Sequence, residues 1–298
     1  MGTTPSQALS KLTATVPPAQ MPPLKTLQNC YRYFRHHNMQ EHSNTSVMTH
    51  LLVERFFHTG LDENQAFSFG YNIVDGYPSI GYGGSDGPFK VGITTMSLLR
   101  RMDRDPSGFL FHWDATYKLN VKAYPVLVCG ITDVARNFHP VAFFILGKES
   151  ESEYAWAIES LMEIFTKVTG RQLLLTYVMA DAGRAPALAI ESRRNPLGVA
   201  NVLMCFYHVI SNVQKRLAGT SPRTKALVYR YIYYMHYSRS YHELLFNWQR
   251  TLPAWNSNVE LTSRRFSGYF DEQWISSRSW QWQAYHTPPG FPATTGQR

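Results

Sequence analysis

At 298 residues, 44% hydrophobic and 17% charged, the chain has an ordinary globular composition and is long enough for one large core or two modest ones. Its three cysteines, Cys30, Cys129 and Cys205, are odd in number and widely spaced. That excludes a disulfide framework and points to a reducing compartment, nuclear or cytosolic. The net charge of +8 is concentrated: residues 206–298 hold 11 Lys and Arg against 4 Asp and Glu, together with 19 of the 42 aromatic residues. Basic side chains interleaved with aromatic ones suit phosphate contact and base stacking; they equally suit a helical domain with an aromatic core and a solvated basic face.

Residues 1–23 are rich in Pro, Ser, Thr and Ala and carry no apolar run of signal-peptide length, so a disordered tail is expected. Residues 24–108 read as a helical and irregular region. Val47, Leu51, Leu52 and Phe56 make one apolar helix face, with Gly60 as its end. The stretch 70–92 contains seven glycines and reads as loop or irregular strand, without a phosphate-binding fingerprint.

From Phe109 short apolar runs alternate with turn residues. Residues 109–116, 123–133 and 138–146 predict three successive antiparallel strands. Tyr154, Ile158, Leu161, Phe165 and Val168 then mark a helix closed by Gly170. A wholly apolar run, 173–180, predicts a fourth strand ending at Asp181; a helix over 185–193, a strand over 199–205 and a further helix follow. The uncharged stretch 195–214 is broken by Asn195, Pro196, Asn201 and His208, which fits a buried strand and helix rather than a membrane span. The order βββαβαβα over 109–217 predicts an α/β (α+β) core with a mixed sheet. Residues 218–285 read as a basic, aromatic-rich, all-helical region broken at Pro222, Pro253 and near Ser276, and 286–298 as an extended tail.

Two aspartates stand out. Asp114 and Asp181 each follow an apolar strand, where a carboxylate is costly to desolvate unless donors or a cation compensate it. Either alone reads as a turn former or helix N-cap. In the inferred strand order, however, the first and fourth strands lie side by side, which brings the two acids together as ligands for a hard divalent cation. Asp133 also ends a strand, but the Val134-Ala135-Arg136-Asn137 that follows gives it a turn role.

The ordered set Asp114-Ala115-Thr116-Tyr117-Lys118, Tyr124-Pro125-Val126-Leu127-Val128, Asp133, Phe138-His139-Pro140-Val141-Ala142, Tyr154-Ala155-Trp156, Met179-Ala180-Asp181-Ala182 and Cys205-Phe206-Tyr207-His208 resembles the transposase domain of Mutator-like elements. The resemblance implies a ribonuclease-H-like core and a cut-and-paste transposase whose acidic triad binds two Mg²⁺ or Mn²⁺ ions. Asp114 corresponds to the first acid and Asp181 to the second. It also implies a Cys-x-x-His pair, matched by Cys205 and His208. These can share one helix face, but no neighbouring Cys or His completes a zinc site, which favours packing or substrate orientation.

The family's third acid, a glutamate after the helical insertion in a pattern like Asn-Asn-x-x-Glu, has no counterpart before Gly296-Gln297-Arg298. Glu243, Glu260 and Glu272 lie in expected insertion helices without the flanking pattern and are not assigned. Nor do Cys30, His36, His37 and His42 form a zinc-type ligand set near the N-terminus. The resulting expectation is a DDE-like nuclease and strand-transfer protein, truncated and catalytically incomplete, that contacts DNA through its basic C-terminal region. A second copy or a full-length transposase is the expected protein partner, the nucleus the expected location, and no membrane is involved. The alternative is a non-catalytic DNA- or transposase-binding protein of the same descent.

Overall fold

A computed structural model describes residues 5–38, 45–81, 83–84, 87–120 and 122–292. The chain forms two compact units, Met1–Glu54 and Arg55–Arg298. The first contains helices α1 (Pro5–Leu12), α2 (Leu24–Asn38) and α3 (Thr45–Glu54). The expected disordered tail is thus helical in part. Pro5 opens α1 at a position that needs no N–H donor, Lys11 sits in its last turn, and the helix packs on α2. The helix expected to run to Gly60 stops at Glu54. His42 and residues 293–298 lie outside the described residues.

The second unit begins with β1 (Phe67–Phe69), a hairpin of β2 (Asn72–Val74) and β3 (Tyr77–Ser79), β4 (Lys90–Thr94) and α4 (Met96–Leu99). It continues with β5 (Leu110–Thr116), β6 (Val126–Thr132), β7 (Phe138–Leu146), α5 (Glu151–Thr169), β8 (Tyr177–Ala180), α6 (Arg184–Ser192), α7 (Arg194–Leu197) and β9 (Asn201–Met204). Helices α8 (Phe206–Arg216), α9 (Pro222–His236), α10 (Tyr241–Asn256), α11 (Val259–Thr262) and α12 (Phe266–Phe270) follow, the last running into a π-helical turn at Asp271–Ile275.

One seven-stranded sheet, in the order β1-β4-β7-β6-β5-β8-β9, organises this unit. Neighbours from β1 to β5 are antiparallel, whereas β5, β8 and β9 are mutually parallel. The fold class is therefore mixed α/β, and the first and fourth strands of the core do adjoin. The sheet also extends beyond the expected core, because β4 and β1, drawn from stretches read as irregular or helical, add to the edge of β7. Glycine misleads there: a Cβ on Gly92 would come within 2.6 Å of the Phe69 ring, so this glycine admits a neighbouring aromatic instead of marking a loop.

Both faces of the sheet are covered. On one, Phe111, Trp113, Leu127 and Phe144 pack with Tyr154, Ile158, Leu161 and Phe165 of α5, the stripe that the 3.6-residue period predicts. Gly170, left-handed at φ 71°, donates its N–H to Thr166 O and ends that helix. On the other face, Leu110, Met179 and Leu203 pack beneath Phe206, Val209 and Val213 of α8, continuous with the aromatic core of α9–α12. The break expected at Pro253 does not occur. Pro253 and Gln249 are exposed, so the carbonyl that loses its donor faces water and α10 continues to Asn256. Among the described residues no helix is long and apolar enough to cross a membrane.

Candidate functional site

Strand β5 alternates as its sequence dictates. Phe111 and Trp113 enter the α5 layer; Leu110 and His112 point to the opposite face, and Asp114, two residues further on, follows them towards α8. Asp114 is not a strand-end turn former, since it sits inside β5 opposite Val128. On the other side β5 pairs with β8 in parallel, with Phe111 opposite Val178 and His112 opposite Met179. Continued by two residues, that register sets Asp114 beside Asp181, one strand spacing of about 4.8 Å away.

The environment of Asp114 is unfavourable to charge. Burial, foremost, raises its pKa above the ordinary carboxylate value; the His208 charge opposes this, and Asp181 and then Glu149 add to it. Nε2 of His208 lies 3.8 Å from Oδ2 of Asp114, with both side chains mostly buried. The imidazole is held above its usual pKa, first by its hydrogen bond with Cys205, then, against the opposing effect of burial, by the Cys205, Asp114 and Asp181 charges. Cys205 is fully buried and forms the N-cap of α8, so the Cys-x-x-His pair spans the entry to that helix and turns its histidine toward Asp114.

A raised carboxylate pKa has a definite sign in stability. The folded state holds the Asp114 proton more tightly than the unfolded chain does, so ionising it destabilises the fold as pH rises through this range. In metal-free melts, Asp114→Asn is expected to match the wild type near pH 3 and to be the more stable protein at pH 7. The gain should fall within the ~0.5–2 kcal/mol typical of relieving an unfavourable charge. A variant less stable than wild type at pH 7 would contradict this account of the site.

Asp181 serves a local purpose as well. Its Oδ1 accepts the Gly183 N–H at 2.9 Å, closing the turn into α6 and fixing the carboxylate's orientation. Asp133 lies in the β6–β7 turn, where it accepts from Asn137 N–H at 2.9 Å and pairs with His139 at 2.8 Å. The glutamates left unassigned have other partners. Glu243 accepts the Arg239 N–H while its own N–H bonds to the N-cap Ser240, and Glu260 accepts from Ser221 and Thr224 at the start of α9. Glu272 is exposed in the π-helical turn.

Glu149 is the acid that sequence reading passed over. It follows β7, which runs in the same direction as β5 on the far side of their shared neighbour β6, so it emerges at the same end of the strands as Asp114. It accepts a 2.6 Å hydrogen bond from the Tyr117 hydroxyl, whose pKa is pushed up to about 12, by desolvation first and then by Glu149. In sequence it sits exposed between Lys148 and Ser150, a context that resembles any helix-start turn. Among the described residues, no group of three or more His, Cys, Asp or Glu is arranged to hold a metal ion. A cavity of about 390 Å³ opens beside Asp181 and His208, between α8 and the α12 region.

Residues 110–212 match the MULE transposase domain family. No curated protein matches the chain. The MULE segment runs from the first residue of β5 into α8 and contains Asp114, Asp181, Cys205 and His208. It leaves outside β1 and β4, which complete the sheet, and α9–α12, whose aromatic core supports α8.

Proposed function

We propose that this protein is a transposase-type, metal-dependent DNA nuclease and strand-transfer protein with a ribonuclease-H-like core, in which Asp114 and Asp181 hold Mg²⁺ or Mn²⁺. The observation that carries the proposal is the parallel β5–β8 register, which, carried two residues on, aligns Asp114 within β5 with Asp181 just past the end of β8, both inside the MULE segment. The sheet order, three antiparallel strands followed by two parallel ones on the β5 side, supports the core assignment.

The donor set suits such a cation. Two hard carboxylates, one of them disfavoured in its charged form by burial and by its neighbour, gain from a divalent ion, and Mg²⁺ commonly binds one or two carboxylates while keeping several waters. When bound, the ion would polarise a phosphate oxygen and lower the pKa of an attacking water. The protein's own contributions are separate. Asp181 is fixed by its turn, Asp114 by the strand ladder, and His208 places a protonatable imidazole against Asp114. The direct test is Mn²⁺ binding and Mn²⁺-dependent cleavage of terminal-repeat DNA by the wild type, Asp114→Asn and Asp181→Asn. Equal results for all three would remove the assignment.

The non-catalytic alternative is favoured by one specific observation: α9 carries Arg223, Lys225 and Arg230 with no acidic residue, and exposes Tyr233 and Tyr234. If phosphate contact lies there, DNA affinity persists in both aspartate variants and falls steeply as salt rises from 50 to 200 mM, by roughly 10–100-fold for a few phosphate contacts. Salt-independent binding, or none at 50 mM, would exclude this region as the contact.

A further inference from the structure

The cavity beside Asp181 has a chemistry of its own. Its α8 wall presents His208, Asn212 and Lys215 at spacings of four and three residues, a stripe about 10 Å long that leads away from Asp114. The facing wall is Tyr269, Gln273 and the wholly buried Trp274. At about 390 Å³ it falls in the range of about 300–1,000 Å³ usual for small-molecule sites, room for one nucleotide but not for a duplex.

The lining groups are poised for a ligand with an aromatic ring, amide-like edges and an anion. Asn212 donates its amide N–H to His208 O at 3.0 Å, which leaves its side-chain oxygen as an acceptor toward the cavity. Among the described residues the Gln273 carboxamide makes no side-chain hydrogen bond and offers both donors and an acceptor. The Tyr269 ring is fixed from two sides. Its hydroxyl accepts the Trp274 indole N–H at 3.3 Å, and the Arg216 guanidinium lies 5.2 Å over the ring. Lys215 is exposed at the end remote from Asp181, where a phosphate meets a cation rather than a carboxylate. Paired carboxamides recognise base edges, and aromatic rings stack on their faces.

We infer that this cavity seats a single unpaired nucleotide, its base against Tyr269 between Asn212 and Gln273 and its phosphate on Lys215. The inference rests on the DNA-processing reading only for the choice of polymer. Calorimetry of the full chain in EDTA, with a short single-stranded deoxyadenylate and with dAMP as probes, tests it without any cleavage, so loss of this binding and loss of nuclease activity are separate results.

Affinity for the strand is expected to fall about tenfold in Lys215→Ala and in Gln273→Ala and to stay unchanged in the distant Arg100→Ala. Competition by dAMP identifies a free nucleotide as sufficient; competition only by a second strand identifies a nucleotide held within a strand; both support the seat. Equal affinity in Lys215→Ala, Gln273→Ala and wild type overturns it, as does inorganic phosphate competing as well as dAMP. A strand carrying 5-iodouracil should photocrosslink to Tyr269 in the wild type, and crosslinks confined to other residues overturn the proposal even where a variant fails to fold.

Discussion

Asp114→Asn and Asp181→Asn are each expected to abolish Mn²⁺ binding and to lower DNA cleavage by about 10²–10⁴-fold. The size follows from the loss of several kcal/mol of cation-mediated charge stabilisation, at 1.36 kcal/mol per tenfold in rate. The substitutions keep size and hydrogen-bonding shape, and in Asp181→Asn the amide oxygen can still accept the Gly183 N–H that closes the turn into α6. Loss of activity therefore reports charge rather than folding. The two variants also differ informatively. Asp114→Asn removes the buried, destabilising carboxylate, so it should lose cleavage while gaining stability at neutral pH; that pairing marks a group retained for chemistry at the expense of the fold. If the two acids act on one ion, as proposed, the double variant should be scarcely worse than either single one. A double variant whose loss is the product of the single losses would mean that the two carboxylates work independently and that the shared-ion proposal is wrong.

Trp282→Ala is expected to destabilise the second unit by about 3–5 kcal/mol, the usual loss for a buried tryptophan. The side chain is 1% exposed, donates its indole N–H to Trp274 O at 2.7 Å, and lies parallel to Phe206 and His236 at ring separations of 6.0 and 6.3 Å. Its own carbonyl bonds to Nδ1 of His236, whose pKa burial pushes down to about 4. One residue earlier, Gln281 O accepts the Met204 N–H at 3.0 Å and so ties this segment to the end of β9. Phe206 is the first residue of α8, two before His208, so the cavity left by the substitution opens under the turn that carries the histidine to Asp114. Denaturant unfolding measures the loss, and Trp280→Ala, which is only partly buried, serves as the comparison. Equal effects of the two substitutions would show that the stack does not support α8.

Much of this was legible because the relevant signals are local. The alternation of β5–β7, the apolar stripe of α5 and its closing Gly170 depend on residues within a turn or a strand of one another. The Asp114–Asp181 juxtaposition followed from strand order once those elements were placed. The misses arose where distant packing overrides local preference. Gly92 reads as a loop until Phe69 is seen crossing it, and Pro253 reads as a break unless its exposure is known. Pro5–Leu12 looks too polar to fold until α2 provides a surface. Glu149 is not distinguishable in sequence, where an exposed acid after a Gly-Lys turn is ordinary; only its position at the same end of the strands as Asp114 and its bond from Tyr117 distinguish it.

The parallel pairing of β5 with β8 also sets where the chain can change length. The sixty residues from Tyr117 to Thr176, including β6, β7 and α5, connect the two strands without entering their register. Insertions at the tips of those connections, at Lys118–Asn120 or Ala135–Arg136, add loop at a cost that grows only slowly with its length. A deletion of a single residue between Phe111 and Asp114 is different in kind. It turns the acid to the opposite side of the sheet, into the α5 layer and away from both Asp181 and His208. Length variation among proteins of this fold should accordingly gather in the β-turns and be missing from the four residues that precede Asp114.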